Sequence, residues 1–433
     1  MQLKKTIIIV VSLIFMSCST LHHRLMTPEE KHNGFESFEF VWSTIRDKHW
    51  ETPVHSADWD SIKTIYASRV MNAETREAVR AALVDLISEL GKSHYSIIPK
   101  EVYANMELQT GHLANGELGI MPVILDGRAY VRKVNHGSPA EKCGIKAGWE
   151  ILSIYSEHIP TTLAQVSREF ANKSWHDGVM MALVESRLYG KVGASIKIKF
   201  RRKNQVIKKK LICAEKRGYP YQWGYIPEMY VWTEIDTIGD NIGYIAFNMF
   251  LDPIHLVPTL NKAMLNFQDM HGLIFDLRGN EGGMAEICMG LAGWLVDDKN
   301  YYFGQMITQS DTLKLVVNPR PVNFKGKVAV LVDQGSASAS EFFAGGLQDI
   351  GRAKIFGSKT AGAALPSQIE LLKNGNAFQY AIANYITTKG EALEGCGVIP
   401  NVEIKHTRET LLAGRDVVLE AALEWMQTQI TKR

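Results

Sequence analysis

At 433 residues the chain has room for two or three domains. Apolar residues make up 46% and charged residues 22%, ordinary proportions for a globular protein, and a formal net charge of +2 points away from nucleic acid or an acidic surface as partner.

The first 18 residues differ from the rest. Lys4-Lys5 precedes an apolar run from Thr6 to Met16, then Ser17-Cys18-Ser19. Residues 1–18 therefore read as a signal peptide, too short to be a spanning helix. A cysteine just behind the apolar run resembles a bacterial lipoprotein signal, departing from it at Phe15, where a leucine is usual. That resemblance implies a lipidated Cys18, a location in a bacterial cell envelope facing the periplasm or exterior, and a lipid anchor in a membrane. Cys143, Cys213, Cys288 and Cys396 are too widely spaced for a metal motif or a disulfide scaffold and read as buried thiols. No metal and no cofactor is expected.

Residues 27–105 read as a helical segment. Phe35, Phe38, Val41, Trp42 and Ile45, then Trp59, Ile62 and the run Val79–Leu90, recur at helical spacing. A helix end at Gly91 leads into Ser93-His94. With 13 histidines in the chain, position alone makes none of them catalytic.

In residues 107–215, Gly116-Glu117-Leu118-Gly119-Ile120 is a glycine turn followed by a strand, and Gly144-Ile145-Lys146-Ala147-Gly148 precedes another. From residue 216 on, Ile242–Phe247 reads as a strand, and His271–Asp276 as a second one ending in the turn Arg278-Gly279-Asn280-Glu281-Gly282-Gly283. Paired glycines let a backbone approach a carbonyl and donate N–H groups to it. A phosphate-binding glycine loop would need a different spacing.

Val328–Val332 is a short β-branched strand of the buried parallel kind, broken by Asp333-Gln334-Gly335. Ser336, Ser338 and Ser340 then alternate with alanines before a helical pattern opens at Glu341. A serine on a sharp strand-to-helix turn exposes its hydroxyl, and the helix N-terminus behind it supplies N–H groups for a developing oxyanion. A plain helix cap explains the serine equally well when it is taken alone.

GSASASEFFAGGLQD resembles the nucleophile segment of the tail-specific, or C-terminal processing, serine peptidases, and the resemblance covers nearly the whole mature chain. It implies that Ser338 attacks, with a backbone amide of Gly282 and that of Ala339 as the oxyanion hole. In the Ser–Lys members of the family the base follows the second glycine of the next turn, which here is Ala363, and alanine accepts no proton. Lys359 lies four residues early. The stretch around Ser93-His94 resembles instead the tricorn-protease branch, in which His94 would be the base, oriented by Ser93 and by Glu394 of the closing loop. Asp276, Arg278 and Asn401 are expected to be architectural. The same resemblance makes residues 107–215 an inserted PDZ domain whose Leu118, Gly119 and Ile120 would hold a peptide C-terminus.

The expectation is an α/β protein with a crotonase/ClpP-like catalytic core of ββα units over residues 216–433. An N-terminal helical segment carries the base histidine, and the PDZ insertion lies between. The activity implied is serine endopeptidase cleavage of polypeptides. Three alternatives share the fold: an inactive PDZ scaffold, a carrier of lipophilic ligands, and a hydrolase of non-peptide esters or amides.

Overall fold

The structure, a computed structural model, describes residues 24–51, 57–100, 114–239 and 241–430. The signal peptide and Cys18 lie outside the described residues. No helix among the described residues is long and apolar enough to cross a membrane.

The N-terminal segment holds three helices, α1 (Pro28–Lys48), α2 (Ala57–Met71) and α3 (Arg76–Ser88). Thr27 caps α1 reciprocally with Glu30: Glu30 N–H donates to Thr27 Oγ1 at 3.2 Å, and Thr27 N–H donates to the Glu30 carboxylate at 2.8 Å. The helical reading of residues 27–105 stops short, because α3 ends at Ser88. The chain then turns into a strand, β1 (Ser96–Ile98), that pairs antiparallel with residues 377–381 in the register Ser96↔Gln379. Phe38, Val41, Leu83 and Ile97 share one core with Phe378 and Tyr380. The segment is thus fastened to the far end of the chain, and β1 carries the preceding loop, residues 91–95, with it.

A middle domain follows, an antiparallel sheet in the order β2 (Ile120–Leu125), β3 (Arg128–Val134), β4 (Glu150–Ile154), β5 (Ser195–Arg202), β6 (Gln205–Ile212). Two helices, α4 (Ile159–Glu169) and α5 (His176–Ser186), close its core of Ile151, Leu163, Val184, Ile198 and Phe200.

The last domain is a sheet in the order β7 (Thr233–Ile238), β8 (Ile242–Phe247), β9 (Gly272–Asp276), β10 (Lys327–Val332), β11 (Ala353–Gly357), β12 (Val402–Glu403). All neighbours are parallel except β7 and β8. The central strands are buried on both faces, so their side chains alternate between two cores. Ile245, Phe247, Phe275, Val328, Val330 and Val332 face α6 (Leu256–Asn266), α7 (Ala285–Ala292) and α8 (Ala339–Asp349). Tyr244, Ala246, Ile274, Ala329 and Leu331 face α9 (Val417–Ile430).

Phe343 of α8 is fully buried, with its ring 5.2 Å from Phe275 and 6.0 Å from Phe250. Phe343→Ala is expected to destabilise the last domain by about 3–5 kcal/mol, read as a lower midpoint in denaturant unfolding.

Candidate active site

β10 ends at Val332 and α8 begins at Ala339, so Ser338 sits on the turn between sheet and helix. Its backbone is at φ 52°, ψ −119°, a conformation that side-chain-bearing residues rarely take. Asn280 holds the turn: its carbonyl accepts Ala337 N–H at 3.0 Å and its side-chain oxygen accepts Ser340 Oγ at 2.8 Å. Ser336 Oγ donates to Leu277 O at 2.7 Å, anchoring the same turn to the strand beside it.

The histidine expected to be the base arrives from the other end of the chain. His94 stands on the loop before β1, also at positive φ, 58°. Ser93 Oγ lies 2.8 Å from His94 Nδ1 and 2.7 Å from Glu394 Oε2. Glu394 further accepts Ser93 N–H at 2.8 Å and Ala364 N–H at 3.0 Å. An ionised carboxylate only accepts, so the Ser93 hydroxyl proton points to Glu394 and its oxygen accepts from His94 Nδ1–H. That leaves Nε2 as the unprotonated nitrogen. Burial pushes the Glu394 carboxyl up and lowers the His94 imidazole to about 4, so the ring is neutral at neutral pH.

Ser338 and His94 line one cavity of about 1230 Å³. Its wall also carries Gly283, Ala363, the apolar side chains of Met284, Met289, Met306, Leu315 and Phe342, and a stretch of the middle domain from Glu169 to Glu185. The structure joins His94, Ser93 and Glu394 by hydrogen bonds and sets Ser338 on the wall of the same cavity as His94.

The oxyanion position needs a correction. Gly282 N–H donates to Asn280 Oδ1 at 3.0 Å and so is not available to a substrate. The next amide, Gly283 N–H, and that of Ala339 have no acceptor among the described residues, and Gly283, unlike Gly282, lines the cavity. Gly282 matters sterically instead: a Cβ there would lie 2.7 Å from both Ala337 O and Ser338 Cβ. Lys359 is exposed and off the cavity wall. Leu118, Gly119 and Ile120 belong to the middle domain, and none lines the cavity.

Asp276 and Arg278 lie in a buried ion network away from the cavity. Arg278 donates to Asp276 at 2.8 Å and to Asp416 at 2.7 Å, and holds both carboxyls below their usual range. Asn401 Oδ1 accepts Ile355 N–H at 2.8 Å, a strand contact. Sequence reasoning did not mark three polar groups near the site. Glu341 is fully buried beside Ser338, Lys173 Nζ donates to Gly91 O at 3.0 Å, and Ser174 Oγ donates to Gly362 O at 3.1 Å. Only Glu341 had a signal, the Ser-x-x-Glu spacing of a capping box from Ser338.

A hydroxyl on a strand-to-helix turn, a neutral histidine whose Nε2 has no partner among the described residues, and two amides likewise unpartnered there are the parts a serine hydrolase on an α/β fold uses. Comparison with known proteins narrows this. Residues 241–404 match the model of peptidase family S41, and residues 35–90 that of the tricorn protease C1 domain. Carboxyl-terminal-processing peptidase 3 of Arabidopsis thaliana is 26% identical over 374 residues, covering 84% of this chain and 67% of that one. The carboxyl-terminal-processing protease of Synechocystis sp. is 22% identical over 388 residues, covering 88% and 84%. CtpB of Bacillus subtilis is 27% identical over 284 residues, 65% of this chain and 53% of its own. Among solved structures, the photosystem II D1 C-terminal processing protease superposes with a TM-score of 0.57 at 20% identity, covering 88% of this chain and 94% of that one. Tricorn protease superposes at 0.51 and 17% identity, covering 93% of this chain and 37% of its own. The chain is a serine peptidase whose residues 241–404 are similar to peptidase family S41.

The histidine reading makes a direct prediction. The imidazole Cε1–H resonance assigned to His94 by its loss in His94→Ala should not move between pH 5.5 and 8, because the ring titrates at about 4. A midpoint near 6.5, the ordinary histidine value, would contradict the enclosed neutral ring.

Proposed function

We propose that the protein is an endopeptidase that cleaves polypeptides through an acyl-enzyme on Ser338, with His94 as general base. His94 Nε2 takes the hydroxyl proton as Ser338 Oγ bonds to the substrate carbonyl carbon, and the carbonyl electron pair moves onto oxygen. Ala339 and Gly283 N–H groups bind that oxyanion. Collapse breaks the C–N bond, and the leaving amine receives its proton from His94. A water, deprotonated by the same nitrogen, then releases the acyl group. Ser93 and Glu394 hold the imidazole in the productive tautomer, as the third group of a serine triad does.

The observation that carries this reading is the chain Glu394–Ser93–His94 ending at a free Nε2 on the cavity that holds Ser338. Methionine and leucine side chains on the cavity wall suit an apolar substrate residue beside the scissile bond. An apolar carrier cavity would not need the hydrogen-bonded Glu394–Ser93–His94 chain reaching its wall.

The finer reading of the architecture is that the last domain is a crotonase-like core and the middle domain a PDZ module. In its favour, β2 stands at the edge of its sheet with α5 packed near it, and Gly119 at φ 73° turns the chain just before it. A peptide C-terminus would add to that edge next to Leu118, Gly119 and Ile120. C-terminal processing, the activity in the relatives' names, fits such a groove. The reading also places the protein in a bacterial cell envelope on a lipid carried by Cys18.

Covalent labelling with a fluorophosphonate serine probe tests the mechanism. Labelling should vanish in Ser338→Ala, fall by about 10²–10⁴-fold in His94→Ala, and persist in Lys359→Ala. Loss with Lys359→Ala but not His94→Ala would replace the histidine by a displaced lysine. Absence of labelling in the wild type would favour the scaffold or carrier alternatives.

The middle domain touches both catalytic loops through adjacent residues, Lys173 on Gly91 and Ser174 on Gly362. Lys173→Met removes one of these hydrogen bonds and is expected to slow labelling about fivefold, as one net hydrogen bond would. An unchanged rate would show that docking of the middle domain does not support catalysis.

A further inference from the structure

Glu341 is fully buried in the first turn of α8 and takes no part in the proton transfers above. Its carboxylate nevertheless has four donors. Oε1 accepts Thr360 Oγ1 at 2.6 Å and Gly362 N–H at 2.8 Å; Oε2 accepts Ala363 N–H at 3.0 Å and Ser338 N–H at 3.1 Å. A helix cap explains only the last of these. The other three tie the nucleophile helix to the loop 360–364, in which residue 363 is an alanine where the Ser–Lys pattern has its lysine.

The next amide along that loop goes elsewhere. Ala364 N–H donates to Glu394 Oε2 at 3.0 Å, the same oxygen that accepts Ser93 Oγ. Consecutive amides of one loop are therefore divided between two carboxylates, the buried Glu341 and the half-buried Glu394. One carboxylate is bonded to the nucleophile's backbone and the other to the serine that orients the base. Their spacing is set by a single peptide unit, about 3.8 Å between α-carbons, which does not stretch.

We propose that Glu341 is a positioning residue of the reaction: with Glu394, it sets the nucleophile against the base across the adjoining amides of Ala363 and Ala364. The inference rests on the Ser338–His94 mechanism above. It explains how a site without the lysine stays aligned. In a Ser–Lys pair the base would come from this same loop, so one segment would carry both the base and its register to the nucleophile. Here the loop carries only the register, and the base is delivered from residue 94. Burial raises the Glu341 pKa to about 7, against the four donors that favour the anion.

The test uses the full chain and the rate of fluorophosphonate labelling, separated into the maximal inactivation rate and the half-saturating probe concentration. Labelling of the wild type decides the mechanism itself; the variants, compared with a labelled wild type, decide the role of Glu341. Glu341→Gln turns an amide NH₂ toward N–H donors and should lower the maximal rate by about tenfold or more, with half-saturation changed less than about twofold. Because Glu341 and Glu394 act on one alignment, Glu341→Gln/Glu394→Gln should lose less than the product of the two single losses. If Glu341→Gln does not fold, Thr360 serves instead: Thr360→Val should slow the maximal rate and Thr360→Ser should restore it. A Glu341→Gln rate within twofold of wild type, multiplicative losses in the double variant, or a wild-type rate in Thr360→Val would each overturn the proposal.

Discussion

The site depends on a backbone conformation that serine does not favour. A non-glycine residue at φ 52°, ψ −119° costs on the order of 1–3 kcal/mol and persists only where its surroundings over-determine it. Ser338 is over-determined from three sides. Its own N–H meets Ala363 O at 2.8 Å and the Glu341 carboxylate; the residues on either side, Ala337 and Ser340, are bonded to Asn280; and Ser336 is tied to Leu277. Asn280 itself is fully buried and donates to Phe247 O at 2.8 Å, so the turn is referred to the strand β8 as well as to β9. The strain has a chemical return. It turns the hydroxyl out of the helix cap and toward the cavity while the first N–H of α8 stays free for an oxyanion.

The base is held by a comparable device from a different part of the fold. His94, at φ 58°, stands between the helix end at Ser88 and the strand β1, and β1 is paired with residues 377–381. Behind it Tyr95 Oη lies 2.8 Å from His49 Nδ1 and donates to Ala381 O at 3.3 Å, a second link between the N-terminal segment and the same strand. The three helices before residue 90 are therefore part of the catalytic unit. Their core is completed by Phe378 and Tyr380, so the apolar burial that stabilises them also fixes the loop that carries His94.

The sequence was most legible where local chemistry and long-range packing agree. Val328–Val332 announced a doubly buried strand because β-branched residues in a short run have few other uses, and the glycine pair at 282–283 announced a close backbone approach. The Ser93–His94–Glu394 hydrogen-bonded set was readable through its motifs, although no periodicity connects residue 94 with residue 394. What stayed hidden was directional. Gly282 and Gly283 are equivalent in sequence, and only the Asn280 side chain decides which amide faces the cavity. The helical reading runs over 27–105 with a helix end at Gly91, and it includes no strand at residues 96–98, because their pairing partner lies almost 300 residues later. Lys173 and Ser174 carry no motif at all, since their partners are backbone carbonyls, which every residue has.

Those two residues bear on how the molecule can be controlled. The cavity wall is drawn from the N-terminal segment, the last domain and the helix α5 of the middle domain, where Gly178 packs so closely that a Cβ would lie 2.8 Å from Gln334 O. Gln334 is four residues before the nucleophile, and its side chain donates to Ile124 O of β2 at 3.3 Å. The edge strand β2 thus offers an acceptor that the nucleophile loop already uses. The docked arrangement and the aligned catalytic loops share contacts, and so share an equilibrium: a ligand of the middle domain can shift the second only by the difference between its affinities for the docked and undocked arrangements. The contacts at Lys173, Ser174 and Gln334 set the sign, because all three exist only when the middle domain is docked. A ligand that displaced Gln334 from Ile124 O would cost that contact, whereas one that left it in place and added contact across α5 would strengthen the alignment it finds.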